Sequence, residues 1–436
     1  MTQLLLWNIR QFNVKDIMGS AGANAGLERY IVPLIVANPP AIIVILEVTY
    51  PGGTLDEGAI DDGTHAGPQG CVGMLNRLRR DTPTWCLIPP AISGGRNFYE
   101  AVAVFYDSAK VQFVGPYVYG TDIRTGGTTR AVKRATPSTM LENGPLPYPP
   151  PFANAINVQR PVPGARGLAA EGIPEDVLNG QWEFYPNGDI TQQRIFFPDP
   201  DGPPKNNRAL TRSPLYTEFI DLEDVTQRLI KLFSLHTSPQ DNFSAGAVAN
   251  FPLIFEQQSA AHTVVVFTGD FNIDSFQDRA SLAPLIAPPA IYPGALTYTM
   301  LIDPAGNAAN WPYCMTHIPQ AGWLPYSSPP LNVGYPAFGY LNSAIDNAFV
   351  YYAPGTAGPS AGVTGATILN PVTGSPYVVP AGGPPAPPLG TAALGPYNAA
   401  AVPTGGALAP YDLILFNSVV SFVHGVSDHL PVLVNF

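Results

Sequence analysis

Side chains able to bind a metal, move a proton or orient a phosphate recur in this sequence at the ends of short apolar runs. Asn8 closes one run in Trp7-Asn8-Ile9-Arg10, and Glu47 sits inside the otherwise apolar Ile45-Leu46-Glu47-Val48. Glu100 ends Arg96-Asn97-Phe98-Tyr99-Glu100, directly before the run Ala101–Phe105, and His236 closes Ser234-Leu235-His236-Thr237. Asp270 and Asn272 follow a further run in Thr268-Gly269-Asp270-Phe271-Asn272. Asp346 opens Asp346-Asn347-Ala348-Phe349-Val350, and Asp428-His429 precede the last run, Leu430–Val434. An acid within a buried strand costs free energy unless it is paired, hydrogen-bonded or bound to a metal. One such residue means little. A series of carboxylates, carboxamides and imidazoles at strand ends points to an active site at the edge of a sheet.

The residue types suit phosphoryl transfer. A hard oxygen ligand such as Glu47 binds Mg²⁺ while leaving waters in place, and the metal stabilises charge on phosphate oxygens. An Asp–His pair can orient a water or donate to the phosphate. The plain alternative for Asp270, Asn272, Asp428 and His429 is turn chemistry, with Asx residues closing strand ends. For Glu47 it is a partly exposed edge-strand acid. No Cys/His cluster suggests zinc and no Gly-rich Walker loop suggests a nucleotide-driven motor. Cys71, Cys86 and Cys314 are too widely spaced for a Cys-x-x-Cys site or a disulfide framework, and read as buried or free thiols.

The elements that must position these groups are short. Leu4–Ile9, Ala41–Val48, Val102–Phe105, Leu229–Leu235, Thr263–Phe267, Ala348–Tyr351, Leu413–Phe416 and Leu430–Val434 read as buried strands bounded by Gly, Pro, Asn or Asp. Asn24–Ala37 and Gly73–Arg80 read as helices, and so does Tyr216–Arg228, whose early acidic residues suit a helix N-terminus. Strands mixed with helices imply an α/β sandwich. Three Pro/Gly-rich stretches, about 116–214, 281–342 and 354–410, read as insertions into a single domain spanning 1–436.

Composition agrees. The 42 Gly and 50 Pro demand long irregular loops. Hydrophobic residues, at 46%, are ample for a packed core and exclude general disorder. A net charge of −11 repels a polyanion, so such a substrate would need a local positive site or a bound metal. Tyr30–Val48 is broken by Pro33 and Asn38-Pro39-Pro40, so no transmembrane segment is expected. No basic leader precedes Leu4-Leu5-Leu6-Trp7, which gives the expectation of a cytoplasmic chain, with signal-independent export left open.

In their order and wording these motifs resemble the endonuclease/exonuclease/phosphatase superfamily. Its successive signatures are Asn-Ile, a strand with Glu, a Glu before an apolar strand, a His after one, Gly-Asp-Phe-Asn, Ile-Asp and Ser-Asp-His-x-Pro. All are present here in that order, from Asn8 to Pro431. The resemblance implies a four-layer α/β/β/α sandwich of two mixed sheets flanked by helices, and a Mg²⁺-dependent phosphodiesterase (Mn²⁺ or Ca²⁺ as substitutes). It implies Glu47 as principal metal ligand helped by Asn8, and His236 and His429 as the histidines at the scissile phosphate. Glu100 would hold the first and Asp428 the second. Asp270 and Asn272 would orient the water and phosphate, and Asp346 would support phosphate binding or a second metal.

Some positions depart from the pattern. Leu46 replaces a usual Gln, and Thr49 stands where pancreatic-type nucleases carry an Arg. Arg96-Asn97-Phe98-Tyr99-Glu100 does resemble those nucleases, with Arg96 and Asn97 as substrate contacts, and Asp412 is a rival to Asp346. The basic residues Arg124, Arg130, Lys133 and Arg134 could grip a backbone, or form a solvated loop. Aromatic residues around Trp311 and Trp323 could stack on bases, enter a lipid interface or simply pack. His65, His262, His317 and His424 read as surface or packing residues. The leading expectation is a nuclease with nucleic acid as substrate. The alternatives are an enzyme of phospholipids or small phosphoesters and a non-catalytic binding protein, with the oligomeric state open.

Overall fold

The computed structural model describes residues 2–13, 31–50, 65–93, 100–115, 117–122, 128–133, 215–237, 261–273, 275, 279–287, 296–303, 316–317, 344–356, 365–369, 427 and 429–436. Strands β1 (Gln3–Phe12), β2 (Ile42–Thr49), β3 (Trp85–Ser93), β4 (Glu100–Asp107), β13 (Ala366–Ile368) and β14 (Val432–Asn435) form one sheet, ordered β13-β14-β1-β2-β4-β3. Strands β5 (Val111–Gly115), β8 (Leu215–Asp221), β9 (Leu229–His236), β10 (Thr263–Asp270), β11 (Thr299–Met300) and β12 (Asp346–Tyr352) form the other, ordered β11-β12-β10-β9-β8-β5. Each sheet is mixed: β1–β2 and β9–β10 run parallel, and their other pairings are antiparallel. A separate hairpin joins β6 (Tyr117–Asp122) to β7 (Thr128–Lys133).

The sheets lie face to face, β1 against β10 and β2 against β9. That explains the near-continuous apolar strands, because a central strand covered on both faces has no polar side. All eight residues of β9 and of β10 are buried, and Phe233, Phe267, Phe271 and Phe349 interlock edge-to-face or tilted at centroid distances of 5.2–6.4 Å. Helix α1 (Val32–Ala37) buries Val32, Leu34 and Ile35. Helix α2 (Ala66–Asp81) places Cys71, Met74, Leu75 and Leu78 inward and packs on β3 and β2. Helix α3 (Arg279–Ile286) is tied to the second sheet by Tyr298 N–H donating to Leu285 O, one residue before β11. This is the two-sheet α/β sandwich expected from the sequence, with α2 as the better-formed helical cover. Among the described residues no helix is long and apolar enough to cross a membrane.

Two expectations need correction. Tyr216–Arg228 is not a helix: β8 occupies Leu215–Asp221 and a turn follows. Tyr216, Thr217, Phe219 and Ile220 favour a pleated surface, and β8 hydrogen-bonds to β9 on one side and β5 on the other. The acids instead close the turn, where Asp224 Oδ1 accepts from Thr226 N at 2.7 Å and Gln227 adopts φ 49°. Second, stretches read as insertions contribute strands, β11 to one sheet and β13 to the other. They are only two and three residues long, too short to leave a period. Strand β3, which the sequence reading did not include, holds Pro89-Pro90, a pair that disfavours a strand. It is tolerated because β3 is an edge strand, and its register with β4 shifts between Ile88 and Ala91, at the prolines. The run Leu413–Phe416 lies outside the described residues.

Candidate active site

The strand ends converge at one pole of the sandwich. Across the second sheet His236, Asp270 and Asp346 form a single row, since Asp270 is the register partner of His236 on β9 and of Asp346 on β12. The row is tightly built. A methyl on Gly269 would meet the Leu235 carbonyl oxygen at 1.9 Å, so β9 and β10 close here only with glycine. Gly269→Ala should therefore open the pair just before His236 and Asp270, costing about 1–3 kcal/mol as overpacking does. Urea unfolding checks this; an unchanged midpoint would refute it.

On the first sheet, the ladders β1–β2 and β2–β4 both shift register near the site, after Asn8 and between Ile45 and Val48. Glu47 lies within the second irregularity with φ 55°. A bulky residue in the left-handed region carries strain of order 1–3 kcal/mol, retained where the surroundings fix it, and bulges re-aim side chains beside active sites. Glu47 is thereby turned toward Asn8, whose Nδ2 donates to Glu47 Oε1 at 3.1 Å and to Asp270 Oδ2 at 3.0 Å.

Two carboxylate–imidazole dyads flank Asp270. His236 Nδ1 pairs with Glu100 Oε1 across 2.6 Å, and its Nε2 lies 3.6 Å from Asp270 Oδ2 and 3.7 Å from Glu47 Oε1. His429 Nδ1 donates to Asp346 Oδ2 at 2.8 Å, with Nε2 3.7 Å from the same Asp270 Oδ2. Each Nδ1 faces an acceptor-only carboxylate, so each Nε2 is an acceptor in a neutral ring and a donor in a protonated one. Separations of 3.6–3.7 Å exceed a hydrogen bond, so neither Nε2 is bonded to Asp270 directly.

Asp270 is the hub. Its Oδ2 receives Asn8 and faces both imidazoles, while Oδ1 accepts the Asn272 backbone N–H at 2.8 Å. Burial raises its pKa first and the neighbouring Asp346 second. His429, His236 and the Asn272 N–H oppose them, and the balance is a rise from 3.8 to about 6. The Asp270–Asn272 contact is also an ordinary Asx turn, so the plain reading and the functional one describe the same atoms. Asn272, at φ 49°, anchors its carboxamide on the Thr237 carbonyl at 2.7 Å.

The acid on His429 Nδ1 is Asp346, whereas motif order assigned that task to Asp428. Asp346 reaches the ring from β12. Asp428, Arg96, Asn97 and the rival Asp412 lie outside the described residues. The end of β1 anchors the final motif: Trp7 Nε1 donates to His429 O at 3.1 Å, and Ser427 Oγ donates to Asn8 O at 2.5 Å while accepting His429 N–H at 2.9 Å.

The donor set fits a hard divalent cation. Glu47, Glu100, Asp270 and Asp346 bring four carboxylates against two imidazoles. Among the described residues the buried Asn8 Oδ1 and Asp346 Oδ1 accept no hydrogen bond. Glu47 and Asn8 lie on one side, and Asp270, Asp346 and His429 on the other offer ligand atoms within 4.8 Å of one another.

No protein-family model matches the sequence, and neither does any curated protein. Several solved structures are similar in fold. D. rerio TDP2 complexed with a single-strand DNA product is 8% identical, covering 99% of this chain and 97% of that one, at a TM-score of 0.40. An endonuclease/exonuclease/phosphatase family protein from Leptotrichia buccalis is 11% identical over 100% and 99%, at 0.42. A mannosyl-6-phosphatase from Bacteroides thetaiotaomicron is 11% identical over 100% and 99%, at 0.37. At these values the likeness adds nothing to the chemistry, which rests on the atoms at the pole.

Proposed function

We propose that this chain is a divalent-metal-dependent phosphodiesterase of the endonuclease/exonuclease/phosphatase type, acting as a nuclease on DNA. The observation that carries the reading is the pair of carboxylate–imidazole dyads, Glu100–His236 and Asp346–His429, aimed at one oxygen of Asp270. Such an arrangement holds a tetrahedral, anionic centre between two cationic donors with a base beside it. DNA is the finer part of the proposal and leans on the nuclease-like wording of Arg96–Glu100.

Glu47 and Asn8 would hold a Mg²⁺ ion, with Asn8 Oδ1 as the neutral oxygen, and Asp346 Oδ1 is available on the other side. A bound cation supplies Lewis-acid stabilisation of charge on the phosphate oxygens. Asp270 Oδ2 takes the proton of the attacking water, and its raised pKa makes it a stronger base than an ordinary aspartate. The water oxygen bonds to phosphorus as the bond from phosphorus to the ester oxygen breaks, and that oxygen leaves as an alcohol by taking the proton of an imidazolium Nε2. In their protonated form the Nε2 groups of His236 and of His429 hydrogen-bond to phosphate oxygens, each ring held by its own carboxylate. Activity should rise with pH as Asp270 deprotonates, with its midpoint at or below about 6, since a cation lowers that value.

The discriminating assay pairs Mg²⁺ or Mn²⁺ with plasmid DNA, RNA, sphingomyelin and inositol phosphates, with His429→Ala as control. DNA cleavage lost in the variant supports the proposal. Hydrolysis of a lipid or inositol phosphate alone replaces DNA with the second reading, and no hydrolysis of any substrate refutes both.

Metal binding has a separate signature. A folded-state pKa raised above 3.8 means the folded chain binds the extra proton between pH 3.8 and about 6. That contribution to stability is fully present below the lower value and lost as pH rises through the upper one. A cation that replaces the proton should restore it, so the Mg²⁺-induced rise in Tm should be larger at pH 8 than at pH 5. Differential scanning calorimetry checks this; an equal or smaller rise at pH 8 would remove the cation from Asp270's surroundings.

A further inference from the structure

Thr316 and His317 lie inside the stretch about 281–342, and His317 has the plain sequence reading of a surface or packing residue. In the fold they touch both halves of one dyad. Thr316 is wholly buried, and its Oγ1 accepts from Ile345 N at 3.2 Å and from Asp346 N at 3.0 Å. Its carbonyl accepts from Leu430 N at 2.7 Å. His317 forms an antiparallel bridge with His429, and their rings meet edge to face, with centroids 4.9 Å apart and planes at 60°.

A hydrogen bond at Nδ1 alone does not define the plane of His429, because the imidazole χ2 torsion is broad and roughly two-fold. Asp346 holds one edge of the ring; a second contact must choose among the orientations that this bond allows. We infer that His317 is a positioning residue for His429, and that Thr316 fixes the backbone of Asp346 in the same register. The dipeptide thus works as a clip between β12 and the segment before β14, keeping His429 Nε2 aimed at Asp270 Oδ2. The contact that does this is the ring face and edge, so a phenyl ring should serve where a methyl group cannot.

This inference rests on the phosphoesterase reading for its kinetic arm only. With the substrate cleaved by the wild-type chain, His317→Ala should lower kcat about 10–100-fold, as a displacement near 1 Å does, with KM within about twofold. His317→Phe should recover most of the loss. The second arm needs no substrate. In ¹⁵N-histidine-labelled protein, the Nδ1 proton bonded to Asp346 is assigned by its loss in His429→Ala. It should remain sharp in wild type and His317→Phe, and broaden or vanish in His317→Ala. An unchanged proton signal and kcat in His317→Ala would overturn the inference. So would His317→Phe as slow as His317→Ala with the signal intact, since the imidazole nitrogens would then be what matters. If the wild-type chain hydrolyses no phosphoester, the functional reading fails and the proton signal still decides the positioning.

Discussion

Asp270→Asn should lower kcat for phosphodiester hydrolysis by about 10²–10⁴-fold, the range associated with a positioned acid or base, while the fold survives. The substitution conserves shape, and a carboxamide oxygen can still accept the Asn272 N–H that Asp270 Oδ1 now takes at 2.8 Å. What changes is the other side. An amide nitrogen at Oδ2 would face Asn8 Nδ2 and two imidazole Nε2 groups, with no basic lone pair left to accept a proton. Burial and Asp346 both disfavour the charge on Asp270, so its removal should leave Tm without added metal equal to or above wild type at pH 8. The Mg²⁺-induced rise should shrink. Activity within about tenfold of wild type would remove Asp270 from the role of base. A collapse of Tm would make its role one of folding.

The large features of this arrangement were legible in the sequence because each depends on local chemistry. A strand buried on both faces has to be apolar throughout, so Ile42–Thr49 and Thr263–Asp270 declared themselves, and a lone Glu47 stood out against its neighbours. Placing Glu100, His236, Asp270 and Asp346 at strand ends likewise needed no tertiary information, whereas Asn8, read as closing its run, lies inside β1, and Glu47 lies inside β2, each beside a register shift. Pairing did need tertiary information. Whether Asp346 or Asp428 reaches His429 depends on which strands lie side by side, and β12 meets β10 through a register that sequence spacing does not state. Thr316 and His317 were opaque for the same reason. Their partners Ile345, Asp346, His429 and Leu430 are distant in sequence, and two residues form no periodic pattern. The strand Leu215–Asp221 was obscured because its acids imitate a helix start, and only its neighbours β9 and β5 decide the matter.

Arg228→Ala should be the most destabilising substitution among the polar residues of the opposite pole, at about 3–5 kcal/mol, the cost of orphaning a buried charge. There the chain joins the two sheets through one guanidinium. Arg228 Nη2 donates to Asp221 Oδ2 at 2.8 Å, to Phe436 O at 2.8 Å and to Thr2 Oγ1 at 3.0 Å, and Cζ lies 5.7 Å from the Phe436 ring centroid. Thr2 Oγ1 in turn donates to Asp221 Oδ2. Asp221 is only 1% exposed, so truncating Arg228 leaves a carboxylate with neither water nor cation. The urea midpoint should fall accordingly. A second change, Asp221→Leu, should recover part of the loss, because apolar replacement of a buried pair costs less than breaking it. If Arg228→Ala is neutral, the carboxylate finds water and the clasp carries no stability. The two poles then differ in kind. Arg228 binds the sheets with its charge satisfied, whereas the site pole sets four carboxylates against two imidazoles, an excess of negative charge that uptake of a proton at Asp270 relieves and that a bound cation would relieve as well.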